Sequence, residues 1–265
     1  MRVGTKTVIL FVFLIFTYIV GLLIFTKGFL LVRTMIHQNN SCEVEFAARA
    51  DNLLHGGHSG CWTHARFKRA IVIIVDALRY DFLSYNTSLK SDALPYKNKL
   101  KTVHALMNRD PKKARLYKFI ADPPTTTMQR LKGLTTGSLP TFVDAGANFD
   151  SSEITEDNWV DQLITQGKDI KFFGDETWES LFPNRFYKSF PFPSFNVKDL
   201  HTVDNGILRH LYPEMRRKDW DIIIAHFLGV DHCGHRFGPY HPAMADKLDQ
   251  MDQVIRYSSF TGASQ

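Results

Sequence analysis

At 265 residues, the chain is long enough to bury one large hydrophobic core or two small ones. Its hydrophobic fraction of 44% and charged fraction of 22% are typical of a globular domain with some additional apolar sequence. The formal net charge of +5 comes from scattered basic residues that form no stripe with interleaved aromatic residues, which excludes nucleic acid as a partner. The charge favours only a weak attraction to anionic lipid headgroups.

The additional apolar sequence lies at the start of the chain. Residues 7–26 contain no charged side chain, and this run matches the ~20 residues that a helix needs to cross a bilayer. A cleaved signal peptide would share the basic start at Arg2 and Lys6, but its apolar core spans only ~7–15 residues and a small-x-small cleavage site should follow. We therefore predict a retained signal anchor with its flanks over residues 1–33. Basic residues lie on both sides of it, so they do not fix its orientation.

The segment after the anchor bears on that orientation. Asn39 and Asn86 each begin an Asn-x-Ser/Thr triplet that can accept an N-linked glycan. Cys42 and Cys61 bracket a Gly- and His-rich stretch within a predicted stem, residues 34–68. A disulfide between them would form only in an oxidising compartment, and two unrelated thiols are the alternative. Together these features predict a lumenal or extracellular body.

Short apolar runs and helical patterns alternate after the stem. Residues 70–75 form a continuous β-branched run, which is typical of a strand buried on both faces. Similar runs lie at residues 169–173 and 220–225, and helical patterns lie at residues 112–119, 128–134 and 158–166. This alternation predicts an α/β fold with a mostly parallel sheet flanked by helices. In such sheets, ligands bind beyond the carboxyl ends of the strands.

A final helix is predicted over residues 242–256. Met244, Leu248, Met251 and Ile255 lie on one stripe of it, so the helix needs a core to cover. Residues 257–265 form a polar tail without a pattern. We expect an α/β sheet with only three strong strands to be unfinished at that point.

Asp76 ends the first apolar run. A carboxylate in that position pays a desolvation cost of several kcal/mol unless a neighbouring group compensates it. A metal cation is one compensator, and the guanidinium of Arg79 is the alternative.

A second candidate site is the sequence Asp-His-Cys-Gly-His at residues 231–235. Asp231 and His235 are spaced i, i+4 and can converge on one cation, and carboxylate and imidazole both suit zinc. Cys233 is an alternative ligand that we rank below His235. A solvated loop with an isolated histidine is the alternative for the whole motif, but its position after a buried strand, like that of Asp76, favours a metal site.

A third candidate is the run of three threonines at Thr125, Thr126 and Thr127, which follows two prolines and opens a helical pattern. Threonine is a common N-cap, so capping is the structural alternative. Backbone N–H groups and the helix dipole favour anions at a helix N-terminus. A hydroxyl there, coordinated to a dication, can act as a nucleophile on phosphorus. Taken with the other two sites, we predict a nucleophile.

The order of these motifs resembles the alkaline phosphatase superfamily, and most closely its phosphodiesterase and phosphoethanolamine transferase branches. The distance from Thr127 to the following Thr136-Gly137 pair matches the spacing of that branch, so the resemblance selects Thr127 as the nucleophile. More narrowly, the chain resembles the glycosylphosphatidylinositol (GPI) ethanolamine phosphate transferases in its amino-acid sequence at residues 122–139, 174–178, 195–200 and 225–235.

The resemblance implies a partial catalytic domain over residues 69–256, held in the lumen of the endoplasmic reticulum by the membrane anchor. It implies transfer of ethanolamine phosphate from phosphatidylethanolamine to a mannose of the GPI precursor, the third mannose for the most similar member, through a covalent threonine intermediate. A class F stabilising membrane protein is the implied partner. The resemblance implies that Asp76 and Thr127 bind one zinc ion and that Asp231 and His235 bind the other. It assigns contacts with the glycan or the lipid headgroup to Asp175, Thr177, Trp178 and His226.

The chain also departs from the family pattern. The family's later Asp-His pair and a further histidine do not follow His235, and its multi-span membrane region is absent. The sequence therefore looks like a truncated or spliced form, for which we expect fewer than two zinc ions and little or no turnover. A lumenal phosphodiesterase that uses water as acceptor and an inactive membrane-bound partner are the alternative functions.

Overall fold

A computed structural model describes residues 4–29, 38–40, 67–86, 88, 94–139 and 153–263. In chain order the elements are α1 (Thr5–Phe29), β1 (Ala70–Val75), α2 (Tyr80–Leu83), α3 (Lys101–Arg109), α4 (Thr127–Thr136), α5 (Trp159–Thr165), β2 (Ile170–Asp175), α6 (Thr177–Leu181), β3 (Lys188–Phe192), α7 (Thr202–Met215), β4 (Ile222–Phe227), α8 (Gly229–Phe237) and α9 (Pro242–Ala263). Cys42 and Cys61 lie outside the described residues, so the disulfide stays a prediction. Most of the stem lies outside them as well.

The chain divides into two compact units, which we describe separately. One comprises Met1–His37 and Ala121–Ser152, and the other comprises Gln38–Ile120 and Glu153–Gln265. The first unit contains α1 and α4, and the second contains the sheet with its covering helices.

Helix α1 has 25 residues, and none of them is buried against the rest of the protein. At 1.5 Å per residue its length is about 37 Å, which exceeds the ~30 Å hydrocarbon core of a bilayer. The hydroxyls of Thr17 and Thr26 donate to the carbonyls of Phe13 and Leu23, so these polar atoms are satisfied within the helix. Among the described residues, α1 is the one helix long and apolar enough to cross a membrane.

The four strands form one parallel sheet in the order β1-β4-β2-β3. Every residue of β2 and β4 is buried, as expected for central strands covered on both faces. The α/β class with a parallel sheet is therefore confirmed, and the apolar runs predicted from the sequence correspond to β1, β2 and β4. Sequence patterns missed β3, whose Pro191 is typical of an edge strand because proline cannot donate to a sheet ladder.

Successive side chains of β4 point to opposite faces of the sheet. Ile223, Ala225 and Phe227 belong to a core cluster with buried residues of α7, α8 and α9. On the adjacent strand, the Phe172 ring packs against Trp178, with ring centroids 5.5 Å apart. Trp178 in turn packs against Phe182.

Helix α9 covers the core for which its stripe is patterned. Met244, Leu248 and Met251 of the predicted stripe are buried, whereas Ile255 is half-buried and its neighbour Val254 is fully buried. The helix continues to Ala263, beyond the end at residue 256 that the sequence predicted, and Tyr257 packs on Tyr212 of α7 with ring centroids 4.3 Å apart. The helix therefore extends about two turns beyond the residues in which its apolar pattern is visible.

The helix predicted at residues 112–119 is wrong. Lys113 and Ala114 donate to the Asp110 carbonyl in a single turn, and the chain then continues without regular structure. Ala114 and Leu116 are half-buried while Arg115 and Tyr117 are exposed. This period of two belongs to an extended segment, not to a helix.

A buried ion network lies at the amino edge of the sheet. Lys171 of β2 is fully buried, and its Nζ contacts Glu214 Oε2 at 2.6 Å and Asp219 Oδ1 at 2.7 Å. Lys188 of β3 also contacts Glu214, and Arg217 contacts Asp219 at 2.9 Å. Arg217 also lies 3.6 Å from Glu214, so Glu214 faces three cations and Asp219 faces two, and the network joins β2, β3 and the end of α7.

Candidate active site

The opposite, carboxyl edge of the sheet collects the acidic residues that the sequence singled out. Asp76 directly follows β1, Asp175 is the last residue of β2, and Asp231 lies in the first turn of α8, which follows β4. Because β1, β4 and β2 are neighbours in a parallel sheet, these three residues reach the same edge.

The backbone holds Asp76 at the end of its strand. Its N–H donates to the carbonyl of Phe227 at 2.9 Å, which extends the β1–β4 ladder by one residue. Its Oδ1 accepts from the N–H of Ala77 at 2.9 Å. Ala77 has a φ of 52°, a left-handed conformation that costs roughly 1–2 kcal/mol for a residue with a side chain. Strain of this kind concentrates at functional sites, which supports a role for the Asp76 turn.

Arg79 was the alternative to a metal as the compensator of Asp76. Its guanidinium instead makes a two-point pair with Asp81, with Nε–Oδ1 at 2.9 Å and Nη2–Oδ2 at 2.7 Å. This pair raises the pKa of Arg79. Arg79 is thus committed to another carboxylate on the same turn.

Asp231 and His235 lie one helical turn apart on α8 and face each other. Asp231 Oδ2 and His235 Nε2 are 3.5 Å apart. Two ligands of a tetrahedral zinc, each ~2.0–2.2 Å from the metal, lie about 3.3–3.5 Å apart, so the pair fits a shared zinc ion without rearrangement. The described residues contain no group of three or more metal-ligating side chains close enough to hold an ion by themselves.

The electrostatics of Asp231 also favour a cation. Burial raises the pKa of the Asp231 carboxyl, and the nearby Asp76 carboxylate raises it further, while His235 and His232 act in the opposite direction. A carboxylate whose pKa is raised by a like charge is in an environment that a bound cation would relieve. The Asp76 carboxylate is therefore near enough to affect Asp231, and a metal site at these residues stays a prediction.

Cys233, the alternative ligand, faces the core. Its free thiol is fully buried in the cluster with α9. Burial raises the pKa of the Cys233 thiol, which disfavours the thiolate that binds metals. The ranking of His235 above Cys233 agrees with this placement.

His226 and Trp178 form a buried pair on the second face of the sheet. Trp178 Nε1 donates to His226 Nδ1 at 3.1 Å, and both side chains are almost fully buried. Burial lowers the pKa of His226, against the opposing effect of the Asp76, Asp175 and Asp204 carboxylates. A neutral imidazole that accepts at Nδ1 carries its proton on Nε2. Any substrate contact by this pair therefore uses the Nε2 donor of His226 and not the Trp178 ring.

Asp175 and Thr177 form the turn that follows β2. Asp175 is 2% exposed, and its Oδ1 accepts from the N–H of Thr177 at 2.9 Å. Gly174 precedes them with a φ of 145°, and a Cβ there would lie 2.5 Å from the carbonyl oxygen of His226. Glycine thus allows β2 and β4 to approach closely below this turn. The role of Asp175 and Thr177 in substrate binding stays a prediction.

Thr127 belongs to the other compact unit, at the N-terminus of α4. Thr126 is the N-cap residue of this helix, and its side chain bonds to the Gln129 side chain instead of a backbone N–H. Thr127 is the first helical residue and is half-buried. Gly137, with a φ of 73°, ends the helix. The convergence of Thr127 with Asp76, Asp231 and His235 stays a prediction.

Sequence reasoning missed two residues that support this edge, Asp204 and Lys247. They are 1% exposed each and form an ion pair of 3.1 Å beneath the start of α8. The available signal was Lys247, a charged residue three positions after Met244 and four before Met251, inside the apolar stripe of α9.

The parallel α/β fold is consistent with a phosphodiesterase-like fold. Residues 145–258 match the family described as "Type I phosphodiesterase / nucleotide pyrophosphatase", which fits the alkaline phosphatase superfamily. That superfamily generally uses metal ions, and the assignment of Asp231 and His235 as metal ligands stays a prediction. No solved structure matches the chain significantly.

Sequence comparison with curated relatives gives a more specific similarity than the family match. The chain is 51% identical over 249 residues to human GPI ethanolamine phosphate transferase 3, catalytic subunit, and 45% identical over 251 residues to GPI ethanolamine phosphate transferase 3 of Schizosaccharomyces pombe. It is 37% identical over 252 residues to human GPI ethanolamine phosphate transferase 2, catalytic subunit. These alignments cover 91%, 94% and 89% of the chain and 23%, 26% and 23% of the relatives.

The chain is therefore a homologue of the GPI ethanolamine phosphate transferases along about nine-tenths of its length, which confirms the resemblance of its motifs. It spans about a quarter of the length of these curated relatives.

Proposed function

We propose that the chain carries the nucleophile and part of the metal-binding residues of an ethanolamine phosphate transferase of GPI-anchor biosynthesis. One observation carries the proposal. Asp76 and Asp231, far apart in sequence, interact at the carboxyl edge of the sheet beside an Asp231–His235 pair spaced for zinc. The identity to transferases of this type supports the choice among phosphoryl-transfer reactions.

The reaction proceeds in two half-reactions on Thr127. In the first, Thr127 Oγ1 attacks the phosphorus of phosphatidylethanolamine, the P–O bond to diacylglycerol breaks, and the diacylglycerol oxygen takes up the proton that Thr127 loses. In the second, a mannose hydroxyl of the GPI precursor attacks the same phosphorus, the bond to Oγ1 breaks, and Thr127 recovers a proton. The third mannose is the acceptor that the resemblance favours.

Four residues would hold the metal ions. Asp76 and Thr127 would bind one zinc ion, and Asp231 and His235 the other. When bound, zinc supplies positive charge that stabilises the phosphoryl oxygens and lowers the pKa of the threonine hydroxyl. The N-terminus of α4 directs its backbone N–H groups toward an anion next to Thr127, and His226 Nε2 offers a further donor at the sheet edge.

The membrane helix and the glycan acceptors support the location. Helix α1 anchors the chain in the endoplasmic reticulum membrane, where its lipid substrates lie. Asn39 and Asn86 are both exposed and can accept N-linked glycans, which supports a lumenal second unit, and a mass shift on glycosidase treatment tests this. A class F stabilising membrane protein is the proposed partner.

The test is a covalent adduct, because its formation needs only one half-reaction. Microsomes that contain the chain are incubated with ethanolamine-labelled phosphatidylethanolamine, quenched in denaturant and analysed by tandem mass spectrometry. We expect phosphoethanolamine on Thr127 and a loss of labelling by more than about 1,000-fold in Thr127→Ala. Thr125→Ala is the matched control and should label within about threefold of the parent chain. Label that persists in Thr127→Ala, or that maps to Thr125 or Thr126, contradicts the assignment.

A phosphodiesterase is the second candidate, favoured by the family match of residues 145–258. In that reaction, water attacks the phosphorus of the Thr127 adduct and free phosphoethanolamine leaves. Its release in the absence of any mannose acceptor, at the rate seen with the acceptor, selects hydrolysis over transfer.

A further inference from the structure

The connection between β4 and α8 determines where Asp231 and His235 lie. It consists of Leu228 alone, the N-cap residue of α8, whose side chain cannot cap a helix. The first N–H groups of a helix have no partner within it, and burial makes an unpaired N–H costly. Leu228 is 2% exposed, so this helix start needs an acceptor from elsewhere in the fold.

Asp204 of α7 provides that acceptor. Its Oδ1 accepts from the N–H of Leu228 at 3.0 Å and from the N–H of Gly229 at 3.1 Å. A carboxylate also interacts favourably with the positive end of the α8 dipole. Asp204 thus supplies the capping acceptor for α8, in place of Leu228, the N-cap residue by position, which lies 24 residues further along the chain.

The charge of Asp204 is balanced by Lys247 of α9. Lys247 Nζ contacts Asp204 Oδ2 at 3.1 Å and Gln250 Oε1 at 2.9 Å. Gln250 in turn donates to Asn205 at 3.1 Å. Removing one partner of a buried ion pair leaves an uncompensated charge, so Lys247 stabilises Asp204 in its position at the helix start.

Glycine is the only residue type that fits at position 229, against the Asp204 and Lys247 side chains. A Cβ on Gly229 would lie 2.2 Å from Asp204 Oδ2 and 2.8 Å from both Cδ and Cε of Lys247. Any side chain at this position must push the pair away from the helix start. The Asp204–Lys247 pair therefore contacts α8 two residues before Asp231.

We propose that the Asp204–Lys247 ion pair is a positioning device that fixes the start of α8, and thereby the direction in which Asp231 and His235 present their side chains to a metal ion. This inference rests on the metal site of the proposed function. Asp204 and Lys247 are positioning residues, since Asp204 accepts from backbone N–H groups at the start of α8 and Lys247 donates to Asp204.

The test compares zinc binding and amide exchange in the full chain in detergent micelles. In Asp204→Ala and Gly229→Ala we expect zinc affinity, by calorimetry, to fall by about 10–100-fold, the loss usual for supporting residues of metal sites. Hydrogen exchange of the peptide that spans residues 228–233 should become faster in both variants. Lys171→Met breaks an equally buried lysine pair at the amino edge, and it should leave zinc affinity within about twofold of the parent.

A rescue variant separates positioning from general stability. Asp204→Asn combined with Lys247→Met keeps an oxygen acceptor for the two N–H groups and removes both charges, so we expect zinc affinity to return to within about threefold of the parent. If the ion pair acted only through the overall stability of the fold, the zinc affinity of the double variant would stay low.

Three outcomes decide between the claims. Asp231→Asn with unchanged zinc affinity, or a parent chain that binds no zinc, overturns the metal site and this role with it. Zinc binding that needs Asp231 but is unaffected in Asp204→Ala and Gly229→Ala overturns the positioning role alone. An equal loss in Lys171→Met also overturns it.

Discussion

The two edges of the sheet each contain a buried lysine pair, but their charges are arranged differently. At the amino edge, Glu214 faces three cations and Asp219 faces two, and the pKa values of both carboxyls are lowered. At the carboxyl edge, the pKa of Asp231 is raised by burial and by Asp76. The amino edge is thus a network in which cations surround each carboxylate, whereas at the carboxyl edge the Asp231 carboxyl has a second carboxylate, that of Asp76, near it. This difference is the reason that we propose the carboxyl edge as the place for cations.

The largest expected effect breaks the network at the amino edge. Lys171→Met removes the fully buried cation from the Glu214 and Asp219 carboxylates, of which Glu214 is buried, so we expect a loss of about 3 kcal/mol in the free energy of unfolding, measured by urea titration. Lys168→Met is the matched control, since Lys168 is 41% exposed and lies 3.6 Å from Asp221. A surface pair of this kind contributes ~0–1 kcal/mol. Similar losses in both variants would show that the Lys171 network is not the stronger one.

A smaller effect of opposite sign is expected at the carboxyl edge. The folded-state pKa of Asp231 is raised, so ionisation of this group disfavours the folded chain once the pH exceeds the unfolded value of about 3.9. Asp231→Asn should therefore raise the thermal midpoint of the metal-free chain by a few degrees at pH 7 and have little effect near pH 3.5.

Asp219→Asn is the control for that comparison. Hydrogen bonds from Arg217 and Lys171 lower the pKa of Asp219, so its ionised form stabilises the fold above the unfolded pKa, and this contribution is lost as the pH falls. Asp219→Asn should lower the thermal midpoint at pH 7. Shifts of the same sign in the two variants would remove the distinction between the edges.

The sequence predicted those parts of the fold whose pattern is local. The apolar runs of β1, β2 and β4 and the stripe of α9 each reflect burial of neighbouring residues, so periodicity is enough to find them. It failed at β3, where Pro191 interrupts an edge strand, and at residues 112–119, where apolar residues in an extended segment imitated a helix. In both cases the conformation of the segment depends on where it lies relative to the sheet, and the periodicity of the sequence does not indicate that position.

In the candidate site, too, only the residues that a local sequence pattern indicates could be predicted. Asp76, Asp231 and His235 could be found because each follows a buried strand or lies on the helix after it, and the parallel sheet brings such residues to one edge. Asp204 and Lys247 are 43 residues apart and meet only through the packing of α7 against α9, so no local spacing indicates the pair. The one local sign was the charge of Lys247 within an apolar stripe.

Zinc affinity of the 265-residue chain tests the central claim most directly, because the claim concerns a cation at the carboxyl edge. Calorimetric titration with zinc should show fewer than two tightly bound ions per chain, since each proposed ion has two ligands here instead of the usual three. Asp231→Asn and His235→Gln should each lower the affinity at least about tenfold, and His241→Gln, on the exposed turn before α9, should not change it. Zinc that binds as tightly to Asp231→Asn and His235→Gln as to the parent chain would contradict a metal site at this edge.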